Sequence, residues 1–117
     1  MKFRFIINSY SEIQACCEFL INRWKLNAKT CFYLQLYTEE YFTNLMKYTS
    51  YTKNAFGLQA SYISHQLHLL FWDKTLPFNP KQYVHNALGI QFLTKLFPCN
   101  YRTLRNINFF GVKISND

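Results

Sequence analysis

Two adjacent runs of β-type residues, AFGLQASYI and QLHLLFW, constrain the fold of this 117-residue chain more than any other feature. Side chains alternate along a strand, so the second run places Leu67, Leu69 and Phe71 on one face. Ser64 and His65 separate the two runs, and the pattern predicts a β-hairpin that ends at Asp73. Together with the other predicted segments, this hairpin indicates one largely antiparallel sheet covered on one face by helices.

Helical periodicity precedes the hairpin. Ser9 and Glu12 form a capping-box pair, which predicts that a helix begins there and runs to about Asn27. Its apolar residues recur at spacings of three and four: Ile13, Cys17, Leu20 and Trp24. A second helix is predicted from about Lys29 to about Tyr48, where no Gly or Pro interrupts the pattern. Its apolar stripe consists of Phe32, Leu36, Phe42, Leu45 and Met46.

The remaining segments complete an α+β pattern. KFRFIIN predicts a first strand, YVHNALGIQFLTKLF a third helix, and NYRTLR with INFFGVKIS a closing hairpin that turns near Arg105 and Asn106. The order β, α, α, β, β, α, β, β predicts a two-layer α/β sandwich. Its sheet is expected to be mixed and mostly antiparallel, with about five strands covered on one face by three helices. The length suits one domain, residues 1–117.

Charge and cysteine content restrict the function classes. The formal charge of +7 is compatible with a polyanionic partner, but the 13 Lys and Arg residues form no run, which argues against nucleic acid. A basic surface that meets an acidic protein or a nucleotide fits equally well. The four cysteines contain no CxxC pair, so buried reduced thiols are expected. No apolar run approaches the ~18 residues of a membrane span, so we expect a cytoplasmic protein without a membrane partner.

A polar set on the second predicted helix is the main candidate for chemistry. Glu40 and Asn44 are four residues apart and therefore lie one turn from each other, and Lys47 extends the same face. An amide oxygen is a suitable neutral ligand for Mg²⁺, a carboxylate can orient or deprotonate a hydroxyl, and a lysine can meet phosphate oxygens. The same spacing is also compatible with an ordinary solvated helix edge.

Two further residues stand at places where ligands often bind. Asp73 ends a hydrophobic strand before a Pro-containing loop, so its side chain is predicted to face a crevice, although such acids also form simple turns. Gly89 interrupts a helical pattern at a cost of about 1 kcal/mol relative to Ala. Close approach to a phosphate would explain this glycine, and so would a helix crossing.

Three segments together resemble the ATP-site boxes of a known superfamily. LQLYTEEYFTNLMKYTS, LHLLFWDKTLPFNP and NALGIQFLTKLF come in the order and rough spacing found in the GHKL superfamily of histidine kinases and gyrase-type ATPases. The chain is most similar to the small branch of anti-sigma-factor serine/threonine protein kinases. The resemblance covers nearly the whole chain, and its specificity lies in the three ordered boxes.

This resemblance implies a role for each polar residue and for ATP with Mg²⁺. Asn44 would ligate Mg²⁺, Glu40 would position or deprotonate a serine hydroxyl of a partner, Lys47 would stabilise phosphate charge, and Asp73 would read adenine. The implied partner is a small anti-sigma-antagonist-type protein, with a sigma factor or another regulator as a second target. Family members also pair, so a homodimer is implied.

The same boxes leave a second interpretation open. Thr75 and Ala87 stand where the family has glycines that bring backbone close to the nucleotide, and Gly89 retains the second glycine of its box. The segment between Phe78 and Ala87 is shorter than an ordinary ATP lid. The alternative to an ATP-dependent kinase is therefore a protein-binding module that keeps the sandwich and no longer uses ATP.

Overall fold

The computed structural model describes residues 1–49, 51–74 and 93–117, which form two helices and five strands. In chain order these are β1 (Lys2–Ile6), α1 (Tyr10–Trp24), α2 (Ala28–Tyr48), β2 (Phe56–Ile63), β3 (Gln66–Asp73), β4 (Cys99–Leu104) and β5 (Ile107–Ser115). Most of the predicted third helix lies outside the described residues. At its described end, the Leu96 N–H donates to the Leu93 carbonyl in a turn.

The five strands form one sheet in the order β1-β2-β3-β5-β4, and each neighbouring pair is antiparallel. Both helices pack on the same face, which we call the inner face, and the opposite face is the outer face. The predicted two-layer α+β sandwich and its five strands are confirmed. The prediction of a mixed sheet is wrong for the described strands, because every pairing among them is antiparallel.

Two tight turns fix the strand register. Ser64 and His65 join β2 to β3 with φ of 52° and 61°, and Arg105 with Asn106 joins β4 to β5 with φ of 53° and 64°. Two successive positive φ angles suit a two-residue hairpin because they match the twist of the flanking strands. Both turns lie where the sequence predicts them, and His65 is a turn residue.

The start of α1 uses the predicted cap. The Ser9 hydroxyl accepts a hydrogen bond from the Glu12 N–H at 3.2 Å, while the Glu12 carboxylate accepts one from the Asn8 N–H at 2.8 Å. In a standard capping box the glutamate accepts from the backbone N–H of the N-cap residue itself. Here the N-cap is Ser9, but the Glu12 carboxylate accepts from the residue before it, Asn8. The helix ends at Trp24, and Lys25 follows in the left-handed conformation with φ of 51°.

A stack of aromatic rings forms the centre of the core. Tyr41 on α2 lies 5.3 Å from Phe71, 5.4 Å from Phe56 and 5.7 Å from Phe110, measured between ring centroids, and the interplanar angles are 27° or less. The three phenylalanines belong to β3, β2 and β5 and point inward. One tyrosine of α2 thus packs against the three central strands, and this contact fixes the helix relative to the sheet.

The buried stripe of α2 differs from the predicted one. Phe32 and Met46 are 57% and 52% exposed, whereas Tyr37, Thr38 and Tyr41 are fully buried or nearly so. The buried hydroxyls have acceptors, since Thr38 donates to the Leu34 carbonyl at 2.8 Å and Tyr37 to the Leu93 carbonyl at 2.5 Å. Apolar spacing alone could not identify this stripe because half of its members carry hydroxyl groups.

Candidate functional site

Glu40 and Asn44 lie together on α2, as their spacing predicts. The Asn44 side-chain N–H donates to the Glu40 backbone carbonyl at 2.7 Å. Asn44 is 3% exposed and Glu40 is half-buried, so the amide lies deeper than the carboxylate. Lys47, on the next turn, is exposed, and so is the neighbouring Glu39.

The Asn44 side-chain oxygen is the exceptional atom of this group. It is buried, and no described residue of the chain hydrogen-bonds to it. A buried carbonyl oxygen without a partner costs about 1–3 kcal/mol, so such atoms are rare in native proteins and usually have a ligand or water partner. The chemistry of the atom fits a hard cation: a neutral oxygen of this kind can join water and phosphate oxygens around Mg²⁺.

Asp73 belongs to a hydrogen-bonded network inside the sandwich. Its carboxylate accepts from the Tyr41 hydroxyl at 2.7 Å and from the Asn108 side-chain N–H at 2.9 Å. The side chain is 0% exposed, whereas the sequence predicts that it faces a crevice. The difference arises because the last residue of β3 keeps the inward alternation of Leu69 and Phe71, which places Asp73 under α2.

The network continues across the sheet to its edge. The Asn108 side-chain oxygen accepts from the Tyr101 hydroxyl at 2.9 Å and from the Thr103 hydroxyl at 2.7 Å. Four elements are therefore linked through hydrogen bonds: α2, β3, β5 and β4. Burial, followed by the charge of Asp73 and the hydrogen bond to it, raises the pKa of Tyr41 well above its usual value, so this phenol stays protonated and donates.

Sequence reasoning missed Tyr41 and Asn108 as partners of Asp73. A signal for Asn108 was present, because it occupies an inward position of β5 in alternation with Phe110, Val112 and Ile114. An asparagine at a core position must be hydrogen-bonded, so it predicts a buried polar partner. No comparable signal marks Tyr41, whose role depends on how α2 lies across the sheet.

The structure connects only some of the predicted site residues. Tyr41 contacts Asp73 and lies on the same helix as Glu40 and Asn44, so these predicted residues are grouped around one stretch of α2. The other predicted nucleotide contacts lie outside the described residues: Thr75, Ala87 and Gly89.

Other chemistries find little support in the described part of the chain. Residues 1–49, 51–74 and 93–117 contain no cluster of three or more His, Cys, Asp or Glu side chains that could hold a metal ion. Burial raises the pKa of the Cys17 thiol to about 12 and that of Cys16 as well, so both stay protonated and poorly nucleophilic at neutral pH. Cys16 and Cys17 are buried, as predicted, whereas Cys31 and Cys99 are half-buried. Among the described helices, none is long and apolar enough to cross a bilayer.

Comparison with known proteins finds a similar fold among solved structures. No protein-family model matches the chain, and no curated protein matches it. Among solved structures, the histidine kinase AdeS of Acinetobacter baumannii is similar with a TM-score of 0.59 and 13% sequence identity. The match covers 100% of this chain and 68% of the AdeS chain. At this identity the likeness shows the fold alone, a two-layer α/β sandwich similar to that of this histidine kinase structure.

Proposed function

We propose that this protein binds ATP with Mg²⁺ and acts as a regulatory serine/threonine protein kinase of the anti-sigma-factor type, phosphorylating a small antagonist protein. The observation that carries the proposal is the buried Asn44 oxygen without a described partner, one helical turn from Glu40. The histidine-kinase-like fold supports ATP binding, and the resemblance of the three sequence boxes supports the finer assignment.

Each residue of the α2 group has a defined task in this proposal. Asn44 would hold Mg²⁺ through its side-chain oxygen, and the ion would supply neutralisation of phosphate charge. Glu40 is half-buried and accepts the proton of the partner's serine hydroxyl. The serine oxygen forms a bond to the γ-phosphorus, the bond between that phosphorus and the leaving ADP oxygen breaks, and the exposed Lys47 stabilises phosphate charge.

The adenine end of the site is assigned to Asp73, Thr75, Ala87 and Gly89 as part of the same proposal. An adenine amino group would donate to the Asp73 carboxylate, whose oxygens each have two lone pairs and can accept more than one hydrogen bond. The protein partner, a second regulator such as a sigma factor, pairing of two copies and a cytoplasmic location also belong to this proposal.

One observation favours a second function, a protein-binding module that no longer uses ATP. The Asp73 carboxylate is 0% exposed and accepts from both Tyr41 and Asn108, an arrangement that stabilises the sandwich without any ligand. In this alternative Asp73 is a structural residue, and the α2 face is retained for contact with another protein.

Titration calorimetry with Mg²⁺-ATP separates the two functions. Wild type is expected to bind, and Asn44→Ala is expected to lose at least about tenfold in Mg²⁺-dependent affinity because the metal ligand is gone. Gln35→Ala is the matched control, since it removes another amide from α2 outside the group and should bind as wild type does. Absence of Mg²⁺-ATP binding by the wild type would contradict the proposal and favour the binding module.

The stability of Asn44→Ala gives an independent readout. The substitution removes one hydrogen bond to Glu40 and also removes an unpartnered buried oxygen, and these effects have opposite signs and similar size. The free energy of unfolding should therefore change by less than about 1 kcal/mol in urea denaturation. A loss of about 3 kcal/mol or more would show that Asn44 is a structural residue.

Catalysis is tested by transfer of label from γ-labelled ATP to a small antagonist-type domain. Wild type is expected to transfer label, and Glu40→Ala is expected to bind ATP normally while losing about 10²–10⁴-fold in transfer rate. Glu39→Ala is the control, because its side chain is exposed on the adjacent position. Equal transfer by Glu40→Ala and wild type would contradict the assignment of Glu40 as the base.

A further inference from the structure

The outer face of the sheet carries a charge distribution that the linear sequence does not reveal. Five of the chain's cations lie on it or beside it: Lys2, Arg4, Lys74, Arg102 and Lys113. Five of the six acidic residues lie elsewhere, since Glu12 and Glu18 are on α1, Glu39 and Glu40 on α2, and Asp73 points inward. The sixth, Asp117, lies at the edge of this face, where its carboxylate accepts a hydrogen bond from the Ser115 hydroxyl at the end of β5.

Strand order produces this separation. Arg102 on β4 and Lys113 on β5 join the β1 cations on one surface because outward positions align in rows across the sheet. One row contains Lys2, Ser61, His68 and Lys113, and the next contains Arg4, Gln59, Leu70, Gly111 and Asn100. A polyanion on this face would meet cations from three strands, and the one carboxylate beside it is that of Asp117, at the end of β5.

A third row supplies aromatic rings. Trp72 on β3 lies directly opposite Phe109 on β5, and Phe109 lies opposite Arg102. The Lys74 ammonium is 5.9 Å from the Trp72 ring centroid, and the Arg102 guanidinium is 5.8 Å from that of Phe109. Two neighbouring aromatic side chains, each with a cation at its ring, form the part of the face suited to stacking with planar ligands.

Glycine makes room for this arrangement. A Cβ added at Gly57 would lie 2.2 Å from an atom of the Trp72 indole, so the ring lies directly over this glycine. At Gly111 a Cβ would lie 3.1 Å from the Asn100 side-chain oxygen. A groove of about 720 Å³ opens along the other two rows, with Lys2, His68, Asn100, Arg102 and Lys113 in its lining.

We propose that the outer face binds single-stranded nucleic acid, with Trp72 and Phe109 stacking on bases and the surrounding cations contacting phosphates. Charge complementarity selects a polyanion, and the aromatic pair selects one with exposed planar faces. In a duplex the base faces are stacked on one another and are not accessible. The carboxylates of an acidic protein have no planar ring that would stack on Trp72 and Phe109. In known RNA-binding sheets that present aromatic side chains on one face, about two or three bases stack.

This proposal goes beyond the proposed kinase function and uses a different surface. The sequence argues against nucleic acid because its cations form no run. That argument concerns the order of residues along the chain, whereas the proposal concerns cations that come together only through the order β1-β2-β3-β5-β4.

Fluorescence anisotropy with a labelled oligo(U) of about 12 nucleotides tests the proposal. Wild type is expected to bind at low salt, and its affinity should fall linearly on logarithmic axes as salt rises. The double variant Arg102→Glu/Lys113→Glu should weaken binding about tenfold or more. The matched control is Lys29→Glu/Lys53→Glu, which changes the net charge equally at exposed positions off the outer face and should change the affinity less than about threefold.

A second variant tests the aromatic contribution. Trp72→Leu keeps an apolar side chain over Gly57 and should weaken binding about 5- to 100-fold with an unchanged salt slope. Circular dichroism of each variant confirms that it is folded. Lack of binding at low salt, equal weakening by the control double variant, or competition by poly-glutamate as strong as by unlabelled oligo(U) would overturn the proposal. The last result would identify the face as a surface for acidic proteins.

Discussion

The two faces of the sheet are built from alternate residues of the same strands and have opposite character. The inner face carries Phe56, Phe71 and Phe110 in one stack with Tyr41, and its buried polar group Asp73 is held by hydrogen bonds. The outer face carries cations, small polar residues, two half-buried aromatic side chains and exposed aliphatic side chains at its margins, among them Ile6, Ile63 and Leu104. The first arrangement specifies how helices pack on the sheet, while the second contributes little to that packing and leaves side chains available for binding.

The polar groups on the inner side show a further contrast. Asp73 has its hydrogen bonds satisfied within the protein, as expected of a buried charge that stabilises a fold. The Asn44 oxygen, only one turn beyond Tyr41 on α2, has none from the described residues. Two polar groups with nearly equal burial therefore differ in their hydrogen bonds, and this difference makes Asn44 the stronger candidate for holding a ligand that the fold itself does not supply.

Truncation of one phenylalanine on each face tests the comparison with the largest expected effect. Phe71→Ala removes a fully buried ring and should lower the free energy of unfolding by about 3–5 kcal/mol. Phe109→Ala removes a half-buried ring from the adjacent strand and should cost about 1 kcal/mol. Urea denaturation followed by circular dichroism measures both. Equal losses would mean that the outer face is covered in solution as completely as the inner face.

Removal of the Tyr41 hydroxyl should have the next largest effect. Tyr41→Phe leaves the ring in place but deprives the buried Asp73 carboxylate of a donor, and should cost about 2–3 kcal/mol at pH 8. Tyr10→Phe is the control, because its ring is 49% exposed and its hydroxyl bonds to Thr43. This control should change stability by about 0.5 kcal/mol or less.

The same variant has a pH signature. The pKa of Tyr41 is raised in the folded state, so above its unfolded value of 10.0 the unfolded chain loses the proton first. The stability that this group contributes is fully present below pH 10 and is lost as pH rises beyond it. Wild type should therefore lose stability steeply above pH 10, and Tyr41→Phe less steeply. Parallel losses in the two proteins would contradict the assignment of this titration to Tyr41.

A glycine pair on the outer face tests whether the close packing of Trp72 over Gly57 matters. Gly57→Ala places a methyl group within 2.2 Å of the Trp72 indole, so the ring must move, at an expected cost of about 1–2 kcal/mol. Gly111→Ala needs a shift of only a few tenths of an ångström from Asn100 and should cost less. Denaturation and near-ultraviolet circular dichroism report both effects. Equal behaviour of the two variants would show that Trp72 does not depend on the space above Gly57.

Local patterns predicted much of the fold because local physics determines those features. The cap at Ser9, the turns at Ser64 and Arg105 and the alternation in β3 each depend on neighbours within a few residues. The stripe of α2 was predicted less well. Tyr37 can be buried only because the Leu93 carbonyl, 56 residues away, accepts from its hydroxyl, and no local rule identifies such a partner.

The candidate site likewise has features that local spacing predicts and features that depend on contacts between distant elements. The closeness of Glu40 and Asn44 follows from helical spacing and was predictable. The full burial of Asp73 beneath Tyr41 and beside Asn108 depends on three elements meeting, so spacing could not show it. The collection of cations on the outer face likewise depends on the position of β5 between β3 and β4.

The smallest expected effect concerns His68 on the outer face. Partial burial, and then the positive charge of Lys113 on β5, lowers the pKa of this imidazole, while Ser61 of β2 faces it from the other side. Because the folded-state pKa is depressed, the unfolded chain takes up the proton first as pH falls below 6.5, and stability declines there. Urea denaturation between about pH 5 and about pH 8 is the measurement: His68→Asn should abolish this decline in stability, and Lys113→Gln should reduce it. The control is His65→Asn, which removes an exposed turn histidine and should leave the decline unchanged. An unchanged decline in His68→Asn would show that another group causes it.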